Sequence, residues 1–220
     1  MKKLLIIIAF ILGRETVSAQ IVGIESGPTI SKINWTNSMI KHTTFYENVY
    51  TGYYANLGIT YLQKKYIELS SYVGYTNAGG KGWIRKTTID YPEIVDTVQT
   101  RAALGLIDLG SEIRAKYLIG KYFVPFIQLG FELNYLAAIN ESPVKLLGQF
   151  EEYDQLNKFL FYANFSAGLF YNINHLRIGL DYQYNQALNK MVDVRSQLGI
   201  TTVIGLKYSM IGISLGYRIY

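Results

Sequence analysis

The sequence predicts an all-β fold, a single eight-stranded antiparallel up-and-down transmembrane β-barrel. Three observations lead there. Apolar residues recur at every second position over long stretches, which is the period of a strand with two different faces. The connections alternate between tight turns and long polar segments. The face opposite the apolar rows carries too much charge and glycine for an ordinary solvent face.

The alternation is explicit in residues. Tyr53, Ala55, Leu57, Ile59 and Tyr61 stand against Tyr54, Asn56, Gly58 and Thr60. Further rows follow at Ile67–Tyr75, Ile107–Tyr117, Phe123–Tyr135, Phe159–Tyr171, Leu176–Tyr184 and Ile211–Ile219. The first row, Val22 and Ile24 against Gly23, Glu25 and Gly27, is shorter. Gln63 to Lys65, Gly120-Lys121 and Asn172 to Asn174 read as tight turns. Ser31 to Tyr50, Asn77 to Ala103, Ala138 to Asn157 and Leu188 to Gln197 read as long connections. Short turns at one end and long loops at the other fit a membrane barrel with periplasmic turns. Leu198 to Tyr208 is also strand-like, but its apolar phase does not match Ile211 to Ile219. It reads as an extension of the last strand with a bulge or bend near Tyr208-Ser209.

The apolar rows end in aromatics, as in Tyr53/Tyr61, Phe123/Tyr135 and Phe159/Tyr171. Eight steps of about 3.3 Å, tilted by about 40°, cover about 20 Å, close to the apolar band of a bilayer. The 20 tyrosines of the chain suit such interfaces, since the ring is apolar and the hydroxyl can stay wet. The opposite face offers Glu25, Glu68, Asp108, Glu112, Glu132 and Asp181 as acids, and Arg114, Lys116, Arg177 and Arg218 as bases. An eight-stranded interior is just wide enough to be filled by side chains, and isolated charges there are costly. These ten residues are therefore expected to form an ion-paired lumen network that plugs the barrel.

Residues 1–19 read as a cleaved signal peptide, leaving 20–220 as the barrel domain. Lys2 and Lys3 precede the apolar run Leu4 to Leu12, and Val17-Ser18-Ala19 offers a small-residue cleavage site before Gln20. The run of nine is about half a helical span, and nothing after it reaches the roughly 18 apolar residues a span needs. Residues 1–19 hold Lys2, Lys3, Arg14 and Glu15, a net +2 of the formal +5, which leaves +3 for the rest. That is too small and too scattered for nucleic acid. With no Cys there is no disulfide and no thiolate chemistry.

The sequence resembles the PorT-like, porin-family outer-membrane β-barrel proteins of Bacteroides-type bacteria. The carriers are Val17-Ser18-Ala19-Gln20, the opening Val22 to Ser31, Glu68 to Gly82 (ELSSYVGYTNAGGKG) and the closing Ser214 to Tyr220 (SLGYRIY). The resemblance implies an eight-stranded barrel in the outer membrane of a Gram-negative bacterium, with no assigned biochemical activity. Ile219 stands in phase with Tyr217, where the family carries an aromatic.

Catalytic, cofactor and metal signatures are not found in the sequence. His42 and His175 have no local partner at metal-ligand spacing. Asn77 to Gly82 lacks the first glycine and the Ser/Thr of a phosphate loop. No Gly-x-Ser-x-Gly elbow is present. The function expected is structural or interaction-type, without an enzyme activity. The alternatives are a narrow porin for small solutes or ions and a lipid-modifying membrane enzyme. A soluble calycin-like barrel is disfavoured by the polarity of the interior face. Recognition is expected in the second long loop, through Trp83, Arg85, Lys86 and Tyr91, which mix aromatic with basic character. The expected partners are outer-membrane lipid, the barrel-insertion machinery acting on the C-terminal strand, and an extracellular protein or glycan. The chain is expected to be a monomer that does not bind nucleic acid.

Overall fold

The structure is a computed structural model that describes residues 21–38, 46, 48–87, 94–143, 145, 147–152, 155–195 and 199–219. Residues 1–19, read above as a signal peptide, lie outside the described residues, as do His42, Tyr91 and Leu198. In chain order the elements are β1 (Ile21–Asn37), β2 (Tyr50–Gln63), β3 (Ile67–Thr87), β4 (Ile94–Lys116), β5 (Phe123–Ser142), α1 (Leu147–Glu152), β6 (Phe159–Ile173), β7 (Leu176–Ala187), β8 (Val192–Arg195) and β9 (Thr201–Arg218). All pairings are antiparallel. Each strand from β1 to β7 pairs with the next, β7 pairs with β9, and β9 returns to β1, so the sheet forms a ring.

The expectation of an even eight-stranded up-and-down barrel is corrected: the sheet has nine strands and does not close evenly. The ninth is β8, four residues in the connection read as a loop from Leu188 to Gln197. The cause is a mismatch of length. β9 has 18 residues and β7 only 12, so the pairing of β7 with β9 ends at Asn185–Tyr208. Above that point one edge of β9 would stand bare, and unpaired strand edges are a liability. β8 takes up that edge from Val192–Ile204 to Arg195–Thr201.

The expected bulge near Tyr208-Ser209 is absent. β9 keeps one register with β1 and one with β7 through this point. Ile204, Leu206, Tyr208, Met210, Gly212 and Gly216 are buried on one face of a regular strand. The apolar phase changes because the inside of the ring changes character along its axis, apolar at the loop end and charged at the turn end.

The second connection is also shorter than expected. Asn77 to Thr87 belongs to β3 and Ile94 to Ala103 to β4, leaving only residues 88–93 between the strands. At about 3.3 Å per residue the 21 residues of β3 run for about 70 Å, so this hairpin projects well past any apolar band.

Alternate side chains divide the wall as the period-2 pattern requires. Ile24, Leu57, Leu109, Leu129, Leu180 and Ile213 are exposed on the outside. Pairs of rings mark two levels of this belt. Tyr53–Tyr75 (centroids 6.0 Å apart) and Tyr135–Phe159 (5.3 Å) lie toward the loop end, and Phe123–Tyr171 (5.0 Å) lies at the turn end.

Candidate functional site

The interior contains three tiers, and the ten charged residues singled out above occupy the lower two. At the turn end Glu68, fully buried, is the centre. Arg177 grips it bidentately, Nη1 to Oε2 at 2.9 Å and Nη2 to Oε1 at 2.8 Å. Arg114 Nη1 reaches Oε2 at 3.1 Å and Lys116 Nζ reaches Oε1 at 2.6 Å. Gln63 Nε2 donates to Oε1 at 2.9 Å. The guanidiniums also cover an aromatic floor. Phe126 and Phe170 stack at 4.3 Å, with Arg114 4.7 Å from each ring and Arg177 4.6 Å from Phe170. Three cations meet on this one carboxylate, and the two guanidiniums also cover rings.

The middle tier is acidic and solves its charge differently. Glu132 accepts hydrogen bonds from the Tyr72 and Tyr208 hydroxyls. Tyr208 Oη in turn accepts from Asn134 Nδ2 at 2.8 Å. Tyr54 Oη donates to Glu25 Oε1 at 2.8 Å. Thr76 hydrogen-bonds Asp108, while Glu112 lies 4.0 Å from Arg114. The expectation of pervasive ion pairing is therefore too simple. Among the described residues, Glu25, Asp108, Glu132 and Asp181 have no cation within salt-bridge distance, and Arg218 Nε has no hydrogen-bond partner. The signal missed was the tyrosine content of the charged face. Tyr54, Tyr72, Tyr162 and Tyr208 are inward, and the hydroxyls of Tyr54, Tyr72 and Tyr208 bring donors to buried carboxylates without bringing charge.

Between these tiers lies a cavity of about 90 Å³, bordered by Glu25, Ser70, Glu112, Arg114, Asp181 and Gln183.

The third tier, toward the loops, is a dry core. Leu104, Leu106, Leu160, Ile204 and Leu206 fill the ring, capped by Tyr46 from the first connection and Leu147 from α1. Trp35 packs edge-on against Phe150 of α1 at 5.7 Å. Glu141 ties the cap down, accepting from Tyr46 Oη at 2.6 Å and from the Leu147 and Gly148 N–H groups at 2.9 Å each. Burial and the Glu141 carboxylate together push the Tyr46 phenol well above its ordinary value. Sequence reading missed this tier because it took every inward row to be polar.

The loop candidates are placed unevenly. Trp83, Arg85 and Lys86 lie on β3 rather than in a loop, and Trp83 is exposed. Tyr91 lies outside the described residues. Among the described residues, no group of three or more His, Cys, Asp or Glu side chains could hold a metal ion. His175 sits at the β6–β7 turn, its ring 5.9 Å from that of Tyr217.

An outer face that is apolar all round, edged with aromatics and closed over a charged interior, is inverted relative to a water-soluble protein. Such a face suits lipid, and the β1–β9 pairing carries the backbone hydrogen bonds around the ring. No protein-family model matches the sequence, and no curated protein does. One solved structure shares its fold at a TM-score above 0.5, and others are similar at lower scores. The outer membrane protein OprG from Pseudomonas aeruginosa superposes with a TM-score of 0.52 at 9% identity, over 91% of this chain and 96% of that one. Neisserial surface protein A gives 0.47 at 11% identity, over 89% and 96%. The N-terminal β-barrel domain of Pseudomonas aeruginosa OprF gives 0.43 at 13% identity, over 92% and 100%. The class is a small outer-membrane β-sheet protein. Its place is the outer membrane of a Gram-negative bacterium, where the belt meets lipid.

Proposed function

We propose that the protein is a non-conducting outer-membrane scaffold of structural or interaction type, without catalysis, whose recognition surface is its loop end. The observation that carries this is the dry core inside the ring. Among the described residues, Leu104, Leu106, Leu160, Ile204 and Leu206 form one buried apolar cluster between the acidic tier and the loop end. A narrow porin needs continuous water along its axis, and an apolar cluster at this height argues against it. The bidentate Arg177–Glu68 pair with Arg114 and Lys116 supports a second seal at the turn end. A lipid-modifying enzyme needs a nucleophile and a base at one rim, and none of the groups described above supplies that pair.

The same reading takes the chain as a monomer inserted through β9. The outward row Ile211, Ile213, Leu215, Tyr217 and Ile219 offers the insertion machinery an apolar edge. The PorT-like resemblance agrees with an outer-membrane scaffold of this kind. An extracellular protein or glycan partner would meet the projecting β3–β4 hairpin, where Trp83 is exposed.

Planar-bilayer recording on refolded protein tests the sealed interior. The expected record is flat at all applied voltages. Large, stable conductance steps would overturn the reading.

A further inference from the structure

A polar groove opens on the outer surface of the sheet, directly above the Tyr53–Tyr75 pair. β2 and β3 keep one register from Thr60–Ser70 to Tyr54–Thr76 and then part, and among the described residues the chain meets β3 again at the Asn48–Lys81 bridge. Tyr50 fills the gap. Its hydroxyl donates to Asn77 Oδ1 at 2.6 Å and accepts from Arg101 Nη2 at 2.9 Å. The groove encloses about 560 Å³ and is lined by Thr51, Tyr53, Asn77, Arg101, Asn140 and Ser142. Glu141 also borders it, but its carboxylate oxygens are taken by Tyr46, Leu147 and Gly148.

The charges here are arranged against their own interest. Lys81 and Arg101 are direct cross-strand partners on β3 and β4. Like charges so placed repel and weaken a sheet. Both cations lie over one ring, Lys81 Nζ 6.0 Å and Arg101 Cζ 5.0 Å from the centroid of Tyr50. Among the described residues neither has a carboxylate within salt-bridge distance. Arg101 lines the groove and Lys81 stands beside it, so a pair of cations without an acid flanks the groove on a buried tyrosine. Two cations on one anion suit a phosphate group in particular. The remaining lining, two amides, two hydroxyls and the exposed Tyr53 ring, is the chemistry that binds sugar hydroxyls and the flat face of a sugar. Below the groove, Tyr53 and Tyr75 mark the edge of the lipid-facing belt, with Leu57 and Ile107 beneath them.

We propose that this groove binds the phosphorylated sugar headgroup of an outer-leaflet glycolipid. Its phosphate sits between Lys81 and Arg101, its sugar hydroxyls lie against Asn77, Asn140 and Ser142, and its acyl chains run down the belt. The inference rests on the outer-membrane placement and is independent of whether the interior is sealed.

Native mass spectrometry of the detergent-solubilised, folded protein tests it. The probes are a diphosphorylated acylated glucosamine disaccharide, its dephosphorylated form, and water-soluble glucosamine phosphate. The expected result is a one-to-one adduct with the phosphorylated lipid and at least tenfold weaker retention of the dephosphorylated one. Lys81→Gln should weaken binding at least tenfold while leaving heat-modifiable gel mobility unchanged. Lys121→Gln, at the opposite end of the sheet, should leave binding intact. Arg101→Gln removes a hydrogen bond to Tyr50; if it fails to fold, Lys81→Gln decides alone, because no hydrogen bond of the Lys81 side chain is lost. Equal retention of the two lipids, or wild-type binding by Lys81→Gln, would overturn the proposal. Binding of free glucosamine phosphate as tight as that of the lipid would overturn the membrane as the source of the headgroup.

Discussion

Arg177 and Glu68 meet across the inside of the ring through two hydrogen bonds of 2.9 and 2.8 Å, although their strands, β7 and β3, are not neighbours in the sheet. The pair therefore ties opposite walls together, and both side chains are buried. Breaking a buried pair from one side leaves the other charge uncompensated, at about 3–5 kcal/mol. Arg177→Met should cost that much, softened by the two cations that remain on Glu68. Glu68→Gln should cost at least as much, since it strands three cations together. Urea unfolding of protein refolded into vesicles measures both. A loss below about 1 kcal/mol in both variants would show that the cluster does not brace the ring.

Gly110 faces Tyr72 across the β3–β4 ladder, and a methyl group there would lie 2.2 Å from the tyrosine ring. The ring cannot give way without taking its hydroxyl off Glu132. Gly110→Ala should destabilise by about 1–3 kcal/mol through this overpacking. Tyr208→Phe removes the other hydroxyl from Glu132 and should cost about 1–3 kcal/mol. Because both changes act on one carboxylate, the double variant should depart from additivity, which a double-mutant cycle reads directly.

Leu206 lies in the dry tier and is fully buried between Tyr162, whose hydroxyl reaches its carbonyl, and the rest of that core. Leu206→Ala should cost about 2–5 kcal/mol, the usual range for a core leucine. Unfolding in urea checks the stability. A loss under about 1 kcal/mol would mean the tier is loosely packed.

Leu129 is 58% exposed on the outer face of β5, midway along the row from Phe123 to Tyr135. In water, Leu129→Arg would be close to neutral. At the middle of a bilayer an arginine on the lipid face costs about 2–4 kcal/mol. A measured change within about 0.5 kcal/mol in vesicles would remove Leu129 from the lipid-facing belt.

The strands were legible because lipid and interior impose opposite demands on alternate residues. Tyr53, Leu57 and Ile59 against Tyr54, Asn56 and Gly58 is such a record, and β2 runs as that pattern indicates. The strand ends were not legible. Asn77 to Gly82 reads as part of a long connection, yet it is strand paired with β4, and Gly79 and Gly80 stand where the backbone of β4 and Tyr46 pass too close for a side chain. The Leu198 to Tyr208 puzzle had the same origin. A period can be read from one strand, but the polarity of the space it faces depends on all the others.

The sequence by itself determined that the chain alternates, that its outer rows are apolar with aromatic ends, and which acids and bases turn inward. These are local properties, set by the side-chain period of a strand. Tertiary structure alone decided the strand count, since β8 exists only because β9 outruns β7. It also decided which charges meet. Glu68 gathers three cations from β4 and β7, whereas Glu132 is served by tyrosines from β3 and β9. Those partnerships depend on which heights of distant strands coincide around the ring, and pairing register sets that only once the ring has formed.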